Sequence, residues 1–132
     1  QLGSLSFEEK QYKQAIKYLK KYCKMTDDHA SGISYQYLGL SYYYTFELDK
    51  AEKYLKRALL LAKEKEDIRN TYYNLGNVYY LKSEYKKAIK YYKKVLKIDP
   101  NFEKAKFIMK KVREKLFKKN KKGDIWQKEV SI

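Results

Sequence analysis

The chain has 132 residues, enough for one domain with a modest core, and 31 Lys plus Arg against 16 Asp plus Glu leave it a net charge of +15. That balance suits an acidic protein, a nucleic acid or an anionic lipid as partner, or lysines that merely solvate exposed helix faces. One Cys and one His exclude an internal disulfide and a Cys/His metal cluster, and no apolar run approaches the roughly 18 residues of a membrane span.

One Pro and five Gly leave few punctuation points, which predicts long helices joined by short turns. The first stretch, Gln1–Ser6, reads as the last turns of a helix that begins before the sequence does. The chain is therefore expected to be a fragment of something longer. Lys10–Met25 follows as a second helix, with Tyr12, Ala15, Ile16, Leu19 and Tyr22 at three- and four-residue intervals and Cys23 as a small buried residue. Thr26-Asp27-Asp28 breaks the pattern, and Asp28 or Ser31 is placed to cap the next helix. His29 falls in that connecting turn.

Ser31–Thr45 and Leu48–Lys65 read as the next two helices, the second extended through LLLAKEKED. Another pair covers Asp67–Leu81 and Glu84–Lys97, with a break near Lys82–Glu84. Pro100 then stops the pattern, because it lacks an N–H and disfavours helical geometry at Asp99. Asn101–Lys119 is a last helix whose stripe is Ala105, Ile108, Met109, Val112 and Leu116, with Phe107 on the opposite side. Gly123 closes its basic run, and a tail carrying Ile125, Trp126 and Val130 is expected to follow.

The spacing repeats. Tyr35, Leu38, Gly39, Tyr42 and Ala51 precede Tyr72, Leu75, Gly76, Tyr79 and Ala88 by 37 residues, and Leu2, Gly3 and Ala15 lie 36 residues before their own counterparts. A period of this size predicts a stacked array in which each helix pair buries its faces on its neighbours. A mid-helix Gly is unfavourable by about 1 kcal/mol relative to Ala, so its recurrence predicts close helix approach, with Gly76 expected opposite Ala88.

The order Tyr72, Leu75, Gly76, Tyr79, Ala88, Tyr92, Val95, Pro100 resembles the tetratricopeptide repeat, a helix–turn–helix unit. The resemblance covers about residues 1–100. It implies an all-α fold: a right-handed superhelical array of antiparallel helix pairs with a C-terminal capping helix. Repeats are expected at about 1–31 (partial), 32–68 and 69–102, with the capping helix at 102–119 and a basic linker and tail at 120–132. In Lys63 the second repeat departs from the terminal Pro of the pattern.

The resemblance also implies function, since the first helices of each repeat line a concave groove in this family. The groove positions fall on Ile33, Gln36, Tyr37, Leu40, Tyr43 and Tyr44, then on Asn70, Tyr73, Asn74, Asn77, Tyr80 and Leu81. Gln1, Ser4, Phe7 and Glu8 precede them, and Lys104, Phe107, Ile108 and Lys111 follow on the capping helix. Asn70, Asn74 and Asn77 share one helix face, where amides suit the backbone of an extended peptide. The tyrosine rings suit apolar or cationic side chains. The carboxylate clamp of chaperone-binding members is incomplete here: Asn74 and Lys104 fit it, whereas Gln36, Leu40 and Ile108 depart from it.

The expected function is thus a scaffold that binds a peptide or protein segment, acidic segments included, with no cofactor and no metal. The alternative is a basic surface for nucleic acid or anionic lipid, since Asn101–Lys122 holds nine Lys and one Arg against two Glu. Self-association through the incomplete first repeat or the tail is a further expectation. Catalysis is not expected, because no nucleophile–base pair or glycine-rich phosphate loop is present. A soluble, cytoplasmic location is favoured.

Overall fold

The computed structural model describes residues 2–26 and 32–130, with side chains described for 8–25 and 32–121. His29, Asp28 and Ser31 lie outside the described residues, as do the side chains of Gln1, Ser4, Phe7, Ile125, Trp126 and Val130. Six helices make up the described chain: α1 (Leu2–Thr26), α2 (Gly32–Tyr44), α3 (Leu48–Leu61), α4 (Lys65–Leu81), α5 (Tyr85–Ile98) and α6 (Glu103–Val130). They pack mainly as sequence neighbours, α1 on α2, α2 on α3, α3 on α4, α4 on α5 and α5 on α6.

Two turns are built alike. After α2, the Glu47 N–H reaches back to the Tyr42 carbonyl at 2.9 Å and the Phe46 N–H to Tyr43 at 3.1 Å; after α4, Glu84 and Ser83 bond Tyr79 and Tyr80 at 2.9 and 3.0 Å. This is the Schellman arrangement, and it puts Phe46 and Ser83 in the left-handed region at φ 65° and 61°. Glu47 and Glu84 then offer their carbonyls to the N–H groups of Ala51 and Ala88, opening the next helix.

The core follows the repeated positions. Leu38, Leu55, Leu75, Val78, Ala88, Tyr92, Val95 and Val112 are buried, as are Tyr35, Tyr42, Tyr79 and Cys23. A β-carbon added to Gly76 would lie 2.6 Å from Tyr92 Cε1, and one added to Gly39 would lie 2.6 Å from Leu55 Cγ. The close approach expected between Gly76 and Ala88 is therefore made one helical turn further on. Tyr92 is the side chain that fills the space a larger residue at 76 would need.

Neighbouring pairs are also pinned by charge. Lys82 Nζ bridges Asp49 at 2.8 Å and Glu52 at 3.4 Å across the α3–α4 boundary. Burial opposes the charge on Glu52, but a hydrogen bond from Tyr79 together with Lys56 and Lys82 holds its carboxyl below the usual range. The hydrogen bond to Asp49 leads the upward shift of Lys82.

Three boundaries differ from the sequence-based expectation. No turn comes before Lys10, and α1 runs unbroken from Leu2 to Thr26. Lys10 stands in the register of Phe46 and Ser83, but Glu9, Lys10 and Gln11 are good helix formers. Glu9 and Lys13 pair at 3.2 Å along the unbroken face. The helix α3 ends at Leu61 instead of Lys65, because Ala62 turns extended at φ −70°, ψ 130°. The start of α2 sits against that end, with Gly32 placed so that a β-carbon would lie 3.1 Å from the Ala58 carbonyl oxygen. Finally, α6 continues past Lys119 and Gly123 to Val130, where a linker and tail were expected. A single Gly weakens a helix by only about 1 kcal/mol and does not end it.

Candidate functional site

A concavity crosses α2, α4 and the start of α6. It is a cleft of about 680 Å³ lined by Gln36, Leu40, Tyr43 and Tyr44 from α2, Asn70, Tyr73, Asn74 and Asn77 from α4, and Phe102 and Lys104. Nine of the groove positions expected from the sequence therefore meet in one place, all of those just named except Phe102. Tyr37, Tyr80, Phe107 and Lys111 do not line it. Tyr37 and Phe107 stand exposed. Lys111 Nζ lies over the Phe107 ring at 4.5 Å, and Tyr80 is covered by Lys115 at 4.8 Å.

The three asparagines are not equivalent. The Tyr92 hydroxyl donates to Asn77 Oδ1 at 2.6 Å. Arg69 donates from Nε at 3.2 Å and from its second terminal nitrogen at 3.0 Å to Asn70 Oδ1. Since Arg can only donate, the Asn70 oxygen must face it. With two amide oxygens held from inside, Asn70 and Asn77 have their N–H₂ groups left for a ligand. Asn74 keeps both donor and acceptor. Among the described residues no Asp or Glu lines the cleft, and Lys104 adds a cation, so it offers mainly donors. It is suited to carbonyl or carboxylate oxygens.

One lining residue was not foreseen. Phe102 reaches the cleft because its loop is held: Arg69 pairs with Asp99 at 3.1 Å and lays its guanidinium 4.6 Å from the Phe102 ring centre. The Asn101 N–H donates to Asp99 Oδ1 at 3.2 Å. Tyr73 meets Phe102 edge-on at 5.4 Å and Tyr92 at 6.0 Å, forming an aromatic floor. The sequence signal for Phe102 was its position two residues after the Pro100 stop.

At the other rim, Tyr44 stacks on Tyr12 of α1 at 4.8 Å and meets Tyr43 edge-on at 5.3 Å. Burial, followed by the nearby Tyr44 and Tyr73 hydroxyls, raises the Tyr43 pKa, and burial first of all raises that of Tyr92. Both phenols stay protonated at neutral pH and act as neutral hydrogen-bonding groups. Among the described residues no group of His, Cys, Asp and Glu is arranged to hold a metal.

Sequence models of the tetratricopeptide repeat match residues 1–29, 33–65 and 70–102. The chain belongs to the tetratricopeptide repeat family. The ends of the three matched segments, at residues 29, 65 and 102, follow the same spacing as Gly3, Gly39 and Gly76. Repeats of this kind generally mediate protein–protein interactions and are typically non-enzymatic scaffolds. No curated protein matches the chain. No helix among the described residues is long and apolar enough to cross a membrane.

Proposed function

We propose that this repeat array binds an extended peptide or protein segment in the cleft formed by α2, α4 and the start of α6. The observation that carries the reading is the set of amide donors at Asn70, Asn74 and Asn77, two of them oriented by Arg69 and Tyr92 so that N–H₂ groups remain for a ligand. Backbone carbonyls of an extended segment supply acceptors at regular intervals, and fixed donors reduce the ordering needed on binding. The aromatic floor of Tyr73 and Phe102 and the Tyr43–Tyr44 rim give flat surfaces for side chains.

A peptide display selection against the chain, followed by titration of the best binder, tests this. Asn74→Ala and Lys104→Ala should each weaken that peptide about five- to tenfold with unchanged helicity, matching the loss of one hydrogen bond or charge contact. Tyr37→Ala, outside the cleft, should leave affinity within about twofold. Full affinity in both cleft variants would refute the reading.

A further inference from the structure

The register of α6 exposes a second surface. Thr71, Leu75 and Val78 of α4 are buried, and so are Ala105, Met109 and Val112, which occupy the same register in α6. These residues face the preceding pair. Gly76 and Tyr79 are buried too, because α5 folds back over them, with Tyr92 above Gly76 and Tyr91 stacked on Tyr79 at 5.3 Å. Their counterparts on α6 are Lys110 and Arg113, and both are exposed. No helix covers that face among the described residues. Where α4 ends in a turn after Leu81, α6 continues through the corresponding Lys115 to Val130. That continuation spans about 22 Å at 1.5 Å per residue.

The uncovered face is shaped and charged. Lys106, Lys110, Arg113, Phe117, Lys118 and Lys121 line a shallow cleft of about 680 Å³, with Glu114 as its one acid among the described residues. Phe117 is exposed in the midst of these cations. Lys106, Lys110, Arg113 and Phe117 follow one another at intervals of four, three and four residues, which is the spacing of a helix–helix seam. A helix of this chain's own repeat type, with Lys-rich flanks such as those of α5, would be repelled there.

We propose that this face docks an acidic amphipathic helix of a partner protein, lying on α6 as α5 lies on α4. The partner's apolar stripe covers Phe117 and the methylene stems of Lys110 and Lys106, while flanking carboxylates meet Lys110, Arg113, Lys118 and Lys121. Charge complementarity selects an acidic partner over a second copy of this chain, whose net charge is +15. Phe117 among the cations gives the face an apolar centre for a partner's stripe, and a lipid surface or a nucleic acid is an alternative occupant that the test separates. The site is separate from the cleft, and neither reading depends on the other.

The probe is a synthetic 21-residue helical peptide with a leucine stripe flanked by glutamates, titrated into the full chain and followed by fluorescence anisotropy. It is compared with a peptide whose leucines are replaced by serine, a single-stranded oligonucleotide, and vesicles containing phosphatidylserine. The proposal expects saturable binding of the leucine-striped peptide alone at moderate salt. Lys110→Glu with Arg113→Glu should weaken it at least about tenfold, and Phe117→Ala about fivefold. All three residues are exposed, so helicity should be unchanged, and Asn74→Ala should have no effect. Equal binding of the serine peptide would overturn the proposal in favour of charge alone. Tighter binding of the oligonucleotide or the vesicles, or no binding of the leucine-striped peptide, would overturn it as well.

Discussion

Gly76→Ala sets two known effects against each other, so the sign of the outcome is informative. Replacing a mid-helix Gly by Ala should favour α4 by about 1 kcal/mol through helix propensity alone. In the fold, however, the new β-carbon would stand 2.6 Å from Tyr92 Cε1, 2.8 Å from Cδ1 and 3.0 Å from Cζ. Tyr92 is fully buried, and its hydroxyl is committed to Asn77 at 2.6 Å. The ring cannot swing aside without breaking that bond. Overpacking is unfavourable by about 1–3 kcal/mol. Loss of the hydrogen bond adds about 1 kcal/mol. The net expectation is a destabilisation of about 1–3 kcal/mol. For a chain of this length that lowers Tm by about 4–11 °C. Urea unfolding followed by circular dichroism should show a lower midpoint with an unchanged slope. Because Asn77 lines the cleft, peptide affinity should fall as well. A midpoint equal to or above that of the parent chain would show that propensity outweighs packing and would refute the Gly76–Tyr92 reasoning.

Other expectations follow from the turns, the buried thiol and the charged pin. Ser83 sits at φ 61° without needing its side chain there. Ser83→Gly should therefore raise stability by about 0.5 kcal/mol in urea titration, the relief of left-handed strain exceeding the added chain entropy. The Cys23 thiol is buried and its pKa is pushed up by that burial. It should react with a thiol reagent on the order of 100-fold more slowly in the native chain than in denaturant. Glu52 titrates below the ordinary carboxylate range in the fold, so its contribution is present above its unfolded pKa and is lost as pH falls through the folded one. Lys82 titrates above the ordinary lysine range, so its contribution is present below its unfolded pKa and is lost as pH rises through the folded one. The pin is then complete between about pH 5 and pH 10. Glu52→Gln should flatten the acid limb of a Tm-against-pH curve relative to the parent chain, and identical limbs would contradict the role given to Glu52.

The sequence by itself determined the array. Its period places Leu38 and Leu75, Tyr42 and Tyr79, and Ala51 and Ala88 in buried registers, and all six are buried. These assignments were legible because helix periodicity and the need to bury apolar faces act locally and repeat. The breaks at 45–47 and 82–84 were legible for the same reason. The turn expected before Lys10 was not there to be read, since period alone says where a turn would fit and local propensity at Glu9–Gln11 favours helix.

Other features came only from tertiary structure. Nothing in LLLAKEKED disfavours a helix, yet α3 stops at Leu61 where α2 packs on its end. The three asparagines look alike in sequence, but Arg69 and Tyr92 turn two of them into oriented donors. Phe102 joins the cleft because Arg69 ties Asp99 down from a residue 30 positions earlier. Lys111 and Phe107 lie outside the cleft and against each other. Apart from the backbone approach of Gly32 at the end of α3, the deciding contacts lie between side chains whose directions the repeat period does not set: periodicity assigns a face, and packing decides what each atom on that face is left free to do.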